Sequence, residues 1–239
     1  MPDDLPRLTL QRKPTAELPL MGQTILAVED SRYASEALRL LAMRSGARLR
    51  RADTMAAARR HLSVYRPTVV LVDLGLPDGN GVQLIEDIAG DAVAGPILLA
   101  VSGDSSLETA ALDAGADGFL EKPIASLAAF QNAILSRLPP EAHPPGPRAV
   151  ETGAVEPDTL ALKDDLAQAA AVLSTGESDG AVDYAAQFVA SFARSAQDQR
   201  LAEAAGALAR VRAAGGPSDT ARGRLAELVE QRLAAARAF

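Results

Sequence analysis

Cysteine is absent from the 239 residues, which rules out disulfides and thiolate metal sites and suits a reducing compartment. Histidine is almost absent. His61 shares a helical stretch with Arg59 and Arg60 and reads as a surface residue; His143 sits among prolines. Neither points to a phosphodonor or an imidazole metal site. Lysine is scarce, with Lys13, Lys122 and Lys163 among 24 basic residues, so a well-placed lysine stands out. No apolar run approaches the roughly 20 residues that span a bilayer. Residues 1–22 are polar and broken by Pro2, Pro6, Pro14 and Pro19, unlike a signal peptide. A cytoplasmic protein without a membrane partner is expected. The formal net charge of −7 argues against a nucleic-acid protein held by a general positive field. Against these absences stand 48% hydrophobic and 23% charged residues, enough for a packed core and too apolar for wholesale disorder.

Four parts follow from the patterning. Residues 1–22 read as a flexible tail, and residues 23–138 alternate short aliphatic runs with amphipathic stretches, as βα units on a parallel sheet do. Residues 139–154 open with Pro139-Pro140-Glu141-Ala142-His143-Pro144-Pro145-Gly146-Pro147 and predict a semi-rigid spacer. Residues 155–239 are rich in Ala, Leu and Arg, with helical periodicity throughout. In the second part the predicted strands are Thr24–Val28, Ala47–Ala52, Thr68–Val72, Pro96–Val101 and Gly118–Leu120. The helices are Arg32–Arg44, Met55–Tyr65, Gly81–Ala89, Leu107–Ala114 and Ser126–Leu138. Arg48, Arg50 and Arg51 interrupt the second strand, which an edge position tolerates.

The most informative stretch is Val69-Val70-Leu71-Val72-Asp73 followed by Leu74-Gly75-Leu76-Pro77-Asp78-Gly79-Asn80-Gly81. An unbroken aliphatic run reads as a strand buried on both faces, so Asp73 falls at the carboxyl edge of a central strand. Right-handed crossovers bring every strand's carboxyl end to one rim. That rim gathers Glu29 and Asp30, Asp73, Ser102 and Lys122. The three acids offer oxygen ligands only, which select a hard divalent cation, Mg²⁺ or Mn²⁺. Asp73 then suits a nucleophile toward a phosphoryl group, with Lys122 and the cation neutralising its oxygens and Ser102 donating a hydrogen bond. Pro123, after Lys122, marks a candidate cis peptide bond.

With these residues in this order, residues 23–138 resemble the receiver domain of two-component response regulators. The family's acidic pair, acceptor Asp, Ser or Thr, and Lys-Pro are matched by Glu29-Asp30, Asp73, Ser102 and Lys122-Pro123. The resemblance implies a flavodoxin-like fold with strand order 2-1-3-4-5. It implies a cation held by Asp30, Asp73 and the Gly75 carbonyl, with Glu29 acting through water. It also implies that Phe119 changes rotamer on activation, and that the phosphodonor is a sensor histidine kinase or a histidine phosphotransfer protein. Beyond cation-dependent self-phosphorylation and self-dephosphorylation, no enzyme is expected.

Two regions carry no motif. Arg44, Arg48, Arg50, Arg51, Arg59, Arg60 and Arg66 cluster around the second strand and its helix, either as a solvated face or as a docking patch for an acidic surface. Residues 155–239 read as four amphipathic helices, suggesting a bundle that binds a protein partner or a second copy. Nine basic against twelve acidic residues leave this part at −3, and no basic recognition helix stands out, so DNA is the disfavoured alternative. Ala204-Ala205-Gly206-Ala207-Leu208 faintly resembles the helix of histidine phosphotransfer domains, with glycine where the histidine would stand; no histidine occurs in this part.

Overall fold

A computed structural model describes residues 13–90, 95–124, 126–146, 155, 157–175 and 178–237. The first half runs β1 (Thr24–Val28), α1 (Arg32–Arg44), β2 (Arg48–Ala52), α2 (Met55–Val64), β3 (Val69–Asp73), α3 (Gly81–Gly90), β4 (Ile97–Ser102), α4 (Glu108–Asp113), β5 (Gly118–Glu121) and α5 (Leu127–Leu135). All five strands are parallel, in the order β2-β1-β3-β4-β5. The fold is the flavodoxin-like doubly wound sheet, followed by a helical region.

Alternation along the strands builds the layers, because successive side chains point to opposite faces. Ile25, Ala27, Val69, Leu71, Leu99 and Val101 pack with Leu38 and Leu41 of α1 and Phe130 and Ile134 of α5. Leu26, Val28, Val70, Val72, Leu98 and Ala100 pack with residues of α2, α3 and α4 on the other side. With helices on both faces, β3 is buried at every position, Asp73 included. Ser31, Thr54 and Ser126 start α1, α2 and α5 by accepting hydrogen bonds from Ala34, Ala57 and Ala129 backbone N–H groups. The edge strand β2 turns Arg48 and Arg50 outward and keeps Arg51 half-buried.

The second half folds as α6 (Thr159–Thr175), α7 (Asp179–Ser195), α8 (Gln199–Ala213) and α9 (Asp219–Arg237). Phe188 and Phe192 are fully buried at its centre, packed edge to face at 5.2 Å, with leucines and valines of all four helices around them. The Arg232 guanidinium of α9 donates to Asp198, which caps α8.

Two expectations about the connecting parts need correction. Residues 13–22 are not a loose tail: Leu20 is fully buried in the α1–α5 layer and its N–H donates to Ser45 O at 2.8 Å. The run Leu18-Pro19-Leu20-Met21 is too short to carry a periodic signal, and only the completed layer offers Leu20 a place. Residues 1–12 of the expected tail lie outside the described residues. The linker does not stand free either. Pro140–Ala142 forms a 3-10 turn, and Ala142 and Val155 pack against the α1–α5 layer. Residues 147–154 of the linker, and residue 156 after it, lie outside the described residues. The helical half therefore rests on the sheet domain, with α6 and α7 against α1 and α7 against Gly75–Leu76.

The turn after β3 closes through a two-residue ladder, Gly75–Leu76 against Gly79–Asn80, and leads directly into α3. At Gly81 a Cβ would collide with the backbone of Asp73 and Leu74, so only glycine lets α3 start this close to the rim. Gly81→Ala is expected to destabilise the protein by about 1–3 kcal/mol, as overpacking a close contact does. Chemical denaturation measures this, and an unchanged midpoint would contradict the assigned close approach.

Candidate functional site

The strand ends place the polar residues. Glu29 and Asp30 follow β1, Asp73 ends β3, Ser102 ends β4, and Lys122 follows β5. Backbone bonds fix the last segment, since Lys122 N–H donates to Ser102 O at 2.8 Å. The Lys122–Pro123 peptide bond is cis. All five side chains are buried, with Asp73 at 3% and Lys122 at 5% exposure. One carboxylate oxygen each from Glu29, Asp30 and Asp73 lies within 4.8 Å of the others. The Lys122 ammonium donates to Glu29 Oε2 at 2.7 Å and stands 3.1 Å from Asp73 Oδ2.

Charge crowding sets the protonation of this cluster. Burial, then the charge of Asp73, pushes Glu29 up to about 8 and Asp30 up to about 7. Burial opposes the Lys122 ammonium, but Asp73 and Glu29 outweigh it and its pKa rises. Asp30 Oδ1 is buried without a hydrogen-bond partner. An orphaned oxygen in a cluster of three acids fits a hard cation, which would supply the missing positive charge.

Other predicted residues stand nearby with different engagements. The Ser102 hydroxyl accepts from Asp104 N–H at 3.1 Å, within its own turn. Phe119 is half-buried against the α2–α4 layer. Gly75 lies in the short ladder after Asp73. Asp78 accepts from Met55 and Ala56 N–H groups, tying the turn after β3 to the start of α2.

Of the arginine cluster, Arg51 belongs to the site's framework. Its guanidinium donates to the carbonyls of Glu29 and Asp30 and holds the β1–α1 turn. Arg50 covers the Tyr65 ring at 4.6 Å, and Arg59 pairs with Asp87 at 2.6 Å. Three of the seven arginines are thus spent on internal partners, which favours the solvated-face reading over a docking patch.

Sequence reasoning missed a layer of contacts from the helical half. Tyr184 OH donates to Asp30 Oδ2 at 2.9 Å. Lys122 donates to Ser191 Oγ at 2.8 Å, and that hydroxyl lies 3.5 Å from Asp73 Oδ2. Asp165, fully buried, accepts from Ser31 Oγ at 2.7 Å, Arg32 N–H at 2.9 Å and Tyr33 N–H at 3.0 Å. A carboxylate there meets first-turn N–H groups and the positive end of α1. The signal was present in α7, where Tyr184, Phe188, Ser191 and Ser195 share one face beside the apolar stripe. What the face covers is a tertiary matter.

Residues 25–134 match the family of the response regulator receiver domain. That segment is a receiver domain. The chain is 35% identical over 99 residues to the KDP operon transcriptional regulatory protein KdpE of Escherichia coli, covering 41% of this chain and 44% of that protein. It is 34% identical over 124 residues to the response regulator MprA of Mycobacterium tuberculosis, covering 51% and 54%. The chain thus spans about half the length of these curated relatives. A solved receiver domain from Methylobacillus flagellatus is 28% identical, with a TM-score of 0.44, over 48% of this chain and 97% of that one.

The raised carboxyls set a pH dependence. Glu29 and Asp30 titrate higher in the folded receiver than their ordinary values of 4.5 and 3.8, so their contribution to stability is complete below those values. It is lost as pH rises through about 7 to 8. A bound cation replaces the protons, so the Tm gain from Mg²⁺ is expected to be larger at about pH 8.5 than at about pH 6. Scanning calorimetry at both pH values checks this, and an equal gain would contradict the cluster's electrostatics.

Proposed function

We propose that this protein is a phosphorylation-controlled switch, a response regulator of a phosphorelay in which Asp73 is the phosphoacceptor. One observation carries the reading. A buried ammonium, Lys122, stands 3.1 Å from Asp73 Oδ2 inside a cluster of three buried acids. Such a pairing is costly as scaffolding, because desolvating four charges consumes much of what their attraction returns.

Glu29, Asp30 and Asp73, with the carbonyl of Gly75, would hold Mg²⁺ or Mn²⁺. When bound, the cation neutralises the oxygens of the transferring group. An Asp73 oxygen attacks phosphorus, and the bond to the donor's leaving group breaks with its electrons going to that group. Lys122 then balances the roughly −1.5 to −2 charges that the phosphoryl group brings. Ser102 exchanges its bond from Asp104 N–H for one to a phosphoryl oxygen, and Phe119 turns inward behind it. The face formed by α4, β5 and α5 changes shape, a local electrostatic event biasing a two-state element. The donor is a sensor histidine kinase or a histidine phosphotransfer protein. Catalysis goes no further than cation-dependent transfer to Asp73 and its hydrolysis.

The output is the helical half, which binds a protein partner or a second copy. A second reading has one observation in its favour: one relative, KdpE, is named a transcriptional regulatory protein, so DNA remains a candidate target. The net charge of −3 over residues 155–239 supports the protein partner. Asp73→Ala incubated with Mg²⁺ and labelled acetyl phosphate is expected to lose incorporation. Label retained at the wild-type level would overturn the reading.

A further inference from the structure

We propose that α7 is an intramolecular occupant of the cation and phosphoryl positions, so that the docked helical half and a loaded Asp73 exclude one another. This rests on the reading of Asp73 as phosphoacceptor and adds what holds the site shut.

Two polar groups of α7 reach the carboxylates that a cation and a phosphoryl group would need. Tyr184 OH occupies Asp30 Oδ2 at 2.9 Å, on a carboxylate assigned to the cation. Ser191 Oγ takes a hydrogen bond from Lys122 and lies 3.5 Å from Asp73 Oδ2. At that separation two heavy atoms are in contact, leaving no volume for a phosphorus atom and its oxygens on that side of Asp73. The rest of the helix closes the rim. The Arg194 side chain lies against Gly103, in the turn after Ser102, where a Cβ would collide with it. Asp73 keeps 3% exposure beneath this cover, too little for a protein donor to reach.

The latch lies apart from the acids. Asp165 of α6 takes three hydrogen bonds at the start of α1, and Arg32 adds an exposed ion pair to Asp164 at 2.7 Å. Loosening this latch raises the fraction of open molecules without touching a proposed ligand of the cation. The apparent affinity of the open site scales with that fraction. By reciprocity, a cation and a phosphoryl group on the rim drive α7 off. Release then uncovers the Tyr184–Ser191 face of α7 together with the rim, so one event would both open the receiver and expose the output.

The test uses the full chain and Mn²⁺ as probe, with free Mn²⁺ followed by electron paramagnetic resonance. Asp165→Asn is expected to bind Mn²⁺ about tenfold more tightly than wild type, the factor that one lost charge-assisted hydrogen bond is worth. Small-angle scattering supplies a readout that needs no variant. The radius of gyration of the wild type is expected to rise when Mg²⁺ and beryllium fluoride are added together. Equal Mn²⁺ affinity in the two proteins, or a radius of gyration unmoved by beryllium fluoride in a protein that binds Mn²⁺, would overturn the occlusion alone. Failure of both proteins to bind Mn²⁺ would overturn the cation site, and the occlusion with it.

Discussion

The site depends on one buried ammonium among three buried carboxylates. Glu29, Asp30 and Asp73 come from two strand ends and could not share a water-poor rim without positive charge. Lys122 supplies one charge, leaving the cluster short; burial, and then the charge of Asp73, raises Glu29 to about 8 and Asp30 to about 7. This deficit favours a cation wherever the rim is open to one. Backbone geometry makes the arrangement specific: Lys122 is pinned to Ser102 O, Arg51 holds the carbonyls before α1, and Gly81 lets α3 begin against Asp73.

The helical half meets this deficit differently from a cation. Tyr184 and Ser191 bring hydroxyl dipoles rather than charge, so they satisfy Asp30 and Lys122 without neutralising the cluster. Asp165 brings further negative charge but directs it at the start of α1, where backbone N–H groups donate to it. The docked arrangement is therefore well bonded and electrostatically unfinished. Such a balance suits a contact that a cation and a phosphoryl group are to displace.

Local patterning made the receiver legible and left its cover hidden. The aliphatic run into Asp73, the Leu-Pro-Asp-Gly-Asn-Gly turn and Lys122-Pro123 each carry local chemistry, and the rule that strand ends share a rim assembles them. The four helices of residues 155–239 could be read because 3.6-residue periodicity is also local. Leu20, Arg51 and Asp165 carry no such signal. Leu20 belongs to an apolar run of four residues, too short to show a period, and Arg51 stands in a cluster open to two surface readings. Asp165 looked like half of an ordinary acidic pair on a helix. For Tyr184 and Ser191, position on α7 was visible but the surface opposite was not.

The most direct measurement is the pH dependence of unfolding of Lys122→Met without divalent cations. Removing the ammonium leaves the buried acids uncompensated, so the folded-state pKa values of Glu29 and Asp30 rise further and stability falls as pH increases. The variant should lose about 3–5 kcal/mol against wild type at neutral pH and above, with a smaller loss near about pH 5. Mg²⁺ should restore part of the difference. A loss that is negligible, or the same at both pH values, would contradict the claim that this ammonium holds the rim together.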